Sequence, residues 1–216
     1  MPVNDLQYTL LSDGPTDKAL IPILTWLLYQ HFPHRAVQAY WADLRLLIRP
    51  PRTLHERIQA AVNLYPCDLI FVHRDAERVA FGDRTAEIDY AINRARDAGL
   101  ILPAVAVVPV RMTETWLLFD ESAIRRAAGN PNGSAVLGLP CMTDLECIPN
   151  PKNILHGLIL EATERGTHRR EHFKVDSAIH LIPQRIDDFS PLRVLPAFAA
   201  LEKRIVEVIE ERRWCD

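Results

Sequence analysis

The chain has 216 residues, 48% of them hydrophobic and 25% charged, with a net charge of -3 and a pI near 6.2. That length and balance suit one hydrophobic core, or a core with a small appendage, and exclude a disordered chain. The slight acidity excludes a generally basic nucleic-acid coat, while leaving room for a local basic track beside an acidic centre.

The start, Met1-Pro2-Val3-Asn4-Asp5, has neither the basic nor the apolar region of a secretory signal. The longest apolar helical run, residues 19–29, is about half of the roughly 20 residues that span a bilayer. Cys67, Cys141, Cys147 and Cys215 are scattered without a C-x-x-C pair, which fits unpaired thiols in a reducing compartment better than a disulfide framework or a zinc site. A cytoplasmic protein with no membrane segment is expected.

Residues 6–11 form an apolar, β-compatible run that ends at Ser12-Asp13-Gly14-Pro15-Thr16-Asp17. Gly14 permits a tight bend, Pro15 suits a first helical position and Asp17 suits a helix start, so a helix is expected over residues 16–31. Residues 36–41 are a second short strand, followed by Asp43. After the Arg49-Pro50-Pro51-Arg52 loop, Thr53 and Glu56 form a capping-box pattern that opens a helix to about Tyr65. Residues 68–73 (DLIFVH) read as a central strand buried on both faces, ending at Arg74-Asp75-Ala76-Glu77. A helix over residues 85–98 is stopped by Gly99, and residues 103–110 (PAVAVVPV) form a fourth strand. A helix then opens near Met112 and resumes at Glu121.

Strands alternating with helices imply an α/β fold with a parallel sheet of about four strands and right-handed crossovers. Residues 130–153, rich in Pro, Asn and Gly, read as a long loop, with helices over 154–165 and 196–213. The organisation expected is a core over residues 1–128, with a loop and helical C-terminal portion over 129–216 packing back on it.

Ligands of an open parallel sheet bind beyond the carboxyl ends of its strands. Asp13 follows the first strand, Asp75 and Glu77 the third, and Glu114 the fourth. Asp75 and Glu77, two apart, share a side in extended backbone. Such oxygen ligands suit Mg²⁺ or Mn²⁺, which polarises a phosphoryl group and activates water. Each acid also has a plainer role open to it: Asp13 as a helix cap, Asp75 and Glu77 as solvated loop charges, Glu114 as a partner of a helix dipole. His168 and His172 stand at a chelating spacing without a third ligand. With Arg165, Arg169, Arg170, His180 and Arg185 they offer either a basic track for a polynucleotide backbone or a solvated helix end. Lys152 is a loop cation able to reach a phosphate, and Trp116 and Leu117 are core. No P-loop or dinucleotide-binding glycine pattern is present.

The turn SDGPTD, the strand end HRDAE and the segment VPVRMTETWLLFD resemble a Toprim-like family of unknown function found among bacterial and phage-defence proteins. Asn150-Pro151-Lys152 is similar to its Pro-Lys loop, and Asp187-Asp188-Phe189-Ser190-Pro191 to the stretch before its last helix. The resemblance touches residues 6 to about 205. It implies a Toprim fold like that of OLD-type nucleases and a Mg²⁺-dependent nuclease acting on DNA or RNA. Asp13, Asp75, Glu77 and Glu114 would then be the metal-binding acids, and Lys152 or Arg111 would face the phosphate. It also implies the company of an ATPase partner protein. Asp13 stands where the family has Glu, and Glu77 where it has Asp. A non-catalytic binding or regulatory subunit is the alternative.

Overall fold

The computed structural model describes residues 5–214. Four apolar runs become its strands: β1 (Asp5–Leu11), β2 (Ala36–Trp41), β3 (Leu69–His73) and β4 (Ala104–Val107), all parallel, in the order β2-β1-β3-β4. Every residue of β3 is buried, as its unbroken apolar run requires of an inner strand. The edge strand β2 instead mixes exposed and half-buried residues.

The helices are α1 (Leu20–His31), α2 (Leu54–Leu64), α3 (Phe81–Asp97), α4 (Glu121–Ala127), α5 (Pro151–Ala162), α6 (Thr167–Glu171), α7 (Val175–Ile179) and α8 (Pro196–Glu211). Because strand side chains alternate, the sheet buries two faces. Leu6, Tyr8, Leu10, Phe71, Val105 and Val107 join α1 and the C-terminal helices in one cluster. Leu11, Ile70, Val72, Ala104 and Val108 join α2 and α3 in the other. The C-terminal segment thus supplies much of the cover for one face. Its Phe198 sits edge-on to Trp116, with ring centroids 5.4 Å apart, and both are fully buried. Trp116 and Leu117 are core, as expected.

Local chemistry accounts for most boundaries. The Thr53 backbone N–H donates to Glu56 Oε2 at 3.0 Å, the capping contact that the sequence pattern predicts. The helix expected over 16–31 is a 3-10 turn, Pro15–Ala19, that leads into α1. Inside the sheet, Tyr8 is fully buried. Its hydroxyl donates to the Ile21 carbonyl at 3.0 Å and lies 2.7 Å from Thr25 Oγ1, which ties β1 to the first turns of α1.

Three expectations need correction. Helix α3 begins at Phe81, four residues before Thr85. The Thr85 hydroxyl bonds back to the Phe81 carbonyl at 2.9 Å, the habit of a threonine inside a helix and not of a cap. Strand β4 stops at Val107, short of Val110, because Pro109 offers no N–H to a ladder. Residues 130–153 are not a continuous loop: Met142–Cys147 is a 3-10 turn, and α5 starts at Pro151. Proline suits that first position, and Asn150 Oδ1 caps the helix by accepting the Asn153 N–H at 3.1 Å.

Among the described residues no helix is long and apolar enough to cross a membrane. Cys67, Cys141 and Cys147 are free thiols; Cys215 lies outside the described residues, as do Met1 to Asn4.

Candidate functional site

The connections leaving β1 and β3 run to opposite sides of the sheet, β1 to β2 on one side and β3 to β4 on the other. The crevice between their carboxyl ends is a topological switch point, where α/β sheets hold ligands. The turn after β1 carries Asp13 and Asp17 into it, and the turn after β3 carries Asp75. Beyond β3 the chain stays beside the segment following β4. The Arg74, Ala76 and Glu77 N–H groups donate to the Val107, Pro109 and Arg111 carbonyls at 3.3, 3.1 and 2.8 Å. That pairing aligns Thr113 and Glu114 with Asp75.

A cavity of about 90 Å³, enough for several waters, lies under this crevice. Asp17, Asp75, Glu114, Lys152, Asp176 and His180 are the ionisable residues of its lining. Lys152 reaches it from the first turn of α5, a correction to the loop position expected of it, and His180 from the end of α7. His180 therefore belongs to the acidic centre and not to a separate basic track.

Asp75 is the best-defined member. Thr113 Oγ1 donates to its Oδ1 at 3.2 Å, and His73 Nε2 lies 3.5 Å from the same oxygen. His73 is 2% exposed, and its Nδ1 stands 3.0 Å from the Val107 carbonyl. A carbonyl only accepts, so Nδ1 carries a proton and Nε2 faces Asp75 and, at 3.9 Å, Asp17. Burial pushes the Asp75 carboxyl up to about 6. The negative charges of Asp17 and Glu114 add to that push, against the opposing influence of His73 and Thr113. Asp75 thus holds or releases a proton near neutrality.

Asp17 is buried, and its two oxygens have different duties. Oδ2 accepts the Gly14 N–H at 2.9 Å, which locks the turn, while Oδ1 points toward His73. Neither Asp17 nor His73 was among the expected site residues. Both were legible: His73 and Asp75 are two apart at a strand end and so share a side, and Asp17 closes the same turn as Asp13.

Asp13 behaves differently from expectation. Its Oδ1 lies 2.5 Å from Arg57 Nη1 and its Oδ2 3.2 Å from Arg74 Nε. Arg74 continues to Glu87, and Glu87 to Arg84 at 2.5 Å. Partial burial works against the Asp13 charge, but the two arginines outweigh it and hold the carboxyl below its usual range. With both oxygens taken, Asp13 anchors an arginine frame. Glu77 departs from expectation too. Its φ of 53° is left-handed, so the extended geometry that would put it beside Asp75 is absent. It is exposed and shares an outer groove with Asp13, Asp17, Arg74, Asp75 and Arg84, but it does not line the inner cavity that holds Asp17, Asp75 and Glu114. Arg111, at φ 65°, faces it across the two turns and donates to the Glu77 carbonyl at 3.3 Å.

No three His, Cys, Asp or Glu side chains among the described residues stand close enough to hold a metal ion, so Asp13, Asp75, Glu77 and Glu114 are not gathered as one cluster. His168 and His172, with rings 5.3 Å apart, likewise gain no third ligand. Asp17, Asp75 and Glu114 nonetheless line one cavity with room for several waters, a lining that suits a hard cation keeping most of its waters. Mg²⁺ commonly takes only one or two carboxylates directly. They do not suit a closed cage. No family model matches the chain, and neither a curated protein nor a solved structure matches it.

Proposed function

We propose that the chain is a Toprim-like, Mg²⁺- or Mn²⁺-dependent nuclease that hydrolyses nucleic-acid phosphodiester bonds. The observation that carries this reading is the convergence of Asp17, Asp75, Glu114 and Lys152 on one cavity at the sheet's switch point. Asp75 and Asp17 would hold the cation, with Glu114 positioning its water shell. Such an ion, when bound, neutralises phosphate charge and makes a water acidic enough to attack. Asp75, steered by Thr113 and His73, offers a carboxylate at a fixed place. His73 Nε2 provides a site for a proton between Asp75 and Asp17. Lys152 offers positive charge toward the phosphate oxygens as charge builds on them.

The order of motifs that resembles the Toprim-like family supports the same chemistry, with one shift: Asp17, four residues on from Asp13, would be the working acid of the first turn. The test is cleavage of single- and double-stranded DNA and RNA with Mg²⁺ or Mn²⁺. Asp75→Ala and Asp17→Asn should each lower the rate by about a hundredfold or more, while Asp13→Asn lowers it less than about tenfold. Absence of cleavage on every substrate, together with no heat of Mg²⁺ or Mn²⁺ binding by calorimetry, would sink this reading.

One observation favours a second reading, a non-catalytic binding or regulatory subunit. The family's first acid is here an aspartate whose two oxygens are occupied by Arg57 and Arg74. Metal binding without cleavage would select it.

A further inference from the structure

Beside the acidic centre, on the β2 side of the sheet, lies a second groove of about 360 Å³ whose chemistry is different. Trp41, the last residue of β2, lines it together with Pro50 and Pro51. The Trp41 indole is fixed in orientation, since its Nε1–H donates to Ser12 Oγ at 2.9 Å. Two cations lie over its ring, Lys18 Nζ at 4.3 Å and Arg45 Cζ at 5.3 Å from the centroid. Arg52 and Arg57 complete the lining, Arg52 exposed and Arg57 reaching in from α2. Three arginines against Asp13 and Asp43 leave the lining with a positive balance, in a chain whose overall charge is negative.

Asp13 lines both this groove and the outer groove that contains Asp75. It is the shared wall, and its two arginines lie one to each side: Arg57 in the groove, Arg74 beside the acids. A planar aromatic side chain, guanidinium groups and an adjoining acidic centre form the combination that takes a nucleobase by stacking and its phosphate by charge. The guanidinium of Arg45 is held over the ring by Asp43, at 2.8 and 2.7 Å, in a pair whose arginine is 56% exposed. Such a pair is cheaply displaced by an incoming base.

We propose that this groove seats a nucleotide flanking the cleaved bond of a single-stranded polynucleotide, its base stacked on Trp41 and its phosphate on Arg52 and Arg57. That the neighbouring bond is cleaved rests on the nuclease function proposed above; binding in the groove needs no cleavage. A duplex keeps its bases stacked on one another and has no free base face to offer Trp41, so single strands are the selected form.

The test measures fluorescence anisotropy of a labelled oligothymidylate of about 12 nucleotides with the full chain in EDTA. Trp41→Ala should weaken binding by about tenfold or more, and Trp41→Phe, which keeps an aromatic face, should recover most of it. Arg52→Ala should weaken binding and reduce the slope of log affinity against log salt by about 0.7, one phosphate contact on a single strand. This exposed substitution keeps the test decisive should Trp41→Ala fail to fold. The proposal is overturned if the wild type does not bind the oligonucleotide, if Arg52→Ala leaves affinity and salt slope unchanged, or if a folded Trp41→Ala binds like the wild type. Equal binding of a matched duplex, or displacement by thymidine monophosphate at the same nucleotide concentration, also overturns it. Binding that follows this pattern without cleavage in Mg²⁺ would keep the groove and remove the nuclease. Cleavage with Trp41- and Arg52-independent binding would do the reverse.

Discussion

The substitution Asp75→Asn is expected to stabilise the metal-free protein at alkaline pH. In the folded chain burial raises the Asp75 carboxyl from 3.8 to about 6, so between those values the folded state holds a proton that the unfolded state has lost. Stability from this group is therefore full below about pH 4 and declines as pH rises through about 6. Two units correspond to about 3 kcal/mol at roughly 1.4 kcal/mol each. The Asp75 side chain remains 23% exposed, and water moderates the repulsion from Asp17 and Glu114, so an effect of about 1–3 kcal/mol is the working range. The carboxamide of the variant has no charge to bury, and its oxygen still accepts the Thr113 hydroxyl. The assay is urea unfolding of wild type and Asp75→Asn in EDTA at intervals from about pH 4 to 8. The stability difference should grow in favour of the variant with pH, most steeply below about pH 6.5. A difference that is flat with pH, or a variant less stable at pH 8, would refute the reasoning. Adding Mg²⁺ at pH 8 should stabilise the wild type by about 2.7 kcal/mol at a hundredfold excess over its dissociation constant, and the variant far less.

Asp13 has the opposite sign. The arginines lower its carboxyl, so its contribution is present above the usual carboxylate range and is lost on acidification; the advantage of wild type over Asp13→Asn in urea midpoint should shrink between about pH 5 and 2, and a constant advantage would contradict the arginine frame. Phe198→Ala should cost about 3–5 kcal/mol, because it opens a cavity against Trp116 in the cluster that also holds Phe71 and Val105. The loss should appear as one lowered thermal transition by both near- and far-UV circular dichroism; a separate transition for the C-terminal segment would count against a shared core.

Composition and pattern were enough to set the four strands and the burial of β3, though not the end of β4. The run LIFV has no polar face to show to water, so it had to lie inside the sheet, and β3 does. The alternation of strand and helix required parallel pairing, and Thr53 with Glu56 announced the start of α2. Pattern also placed acids at the carboxyl edge, because that edge is where each strand run ends. Which acids meet was decided by folding. Strand order put the turns after β1 and β3 side by side, and hydrogen bonds carried the segment after β4 to them. Helix α5, far along the chain, delivered Lys152. Asp13 and Asp17 sit in one turn with the same side-chain chemistry, and the local contact that sets Asp17 apart, its bond to the Gly14 N–H, does not say which of the two meets Asp75. The difference comes from Arg57 on α2 and Arg74 after β3, which claim the first, and from His73, which faces the second. Glu77 shares the outer groove with Asp75 but stays out of the inner cavity, and its left-handed backbone is something that spacing does not reveal. Periodicity reports which face of an element is buried; charge pairing between elements depends on distances that exist only after folding.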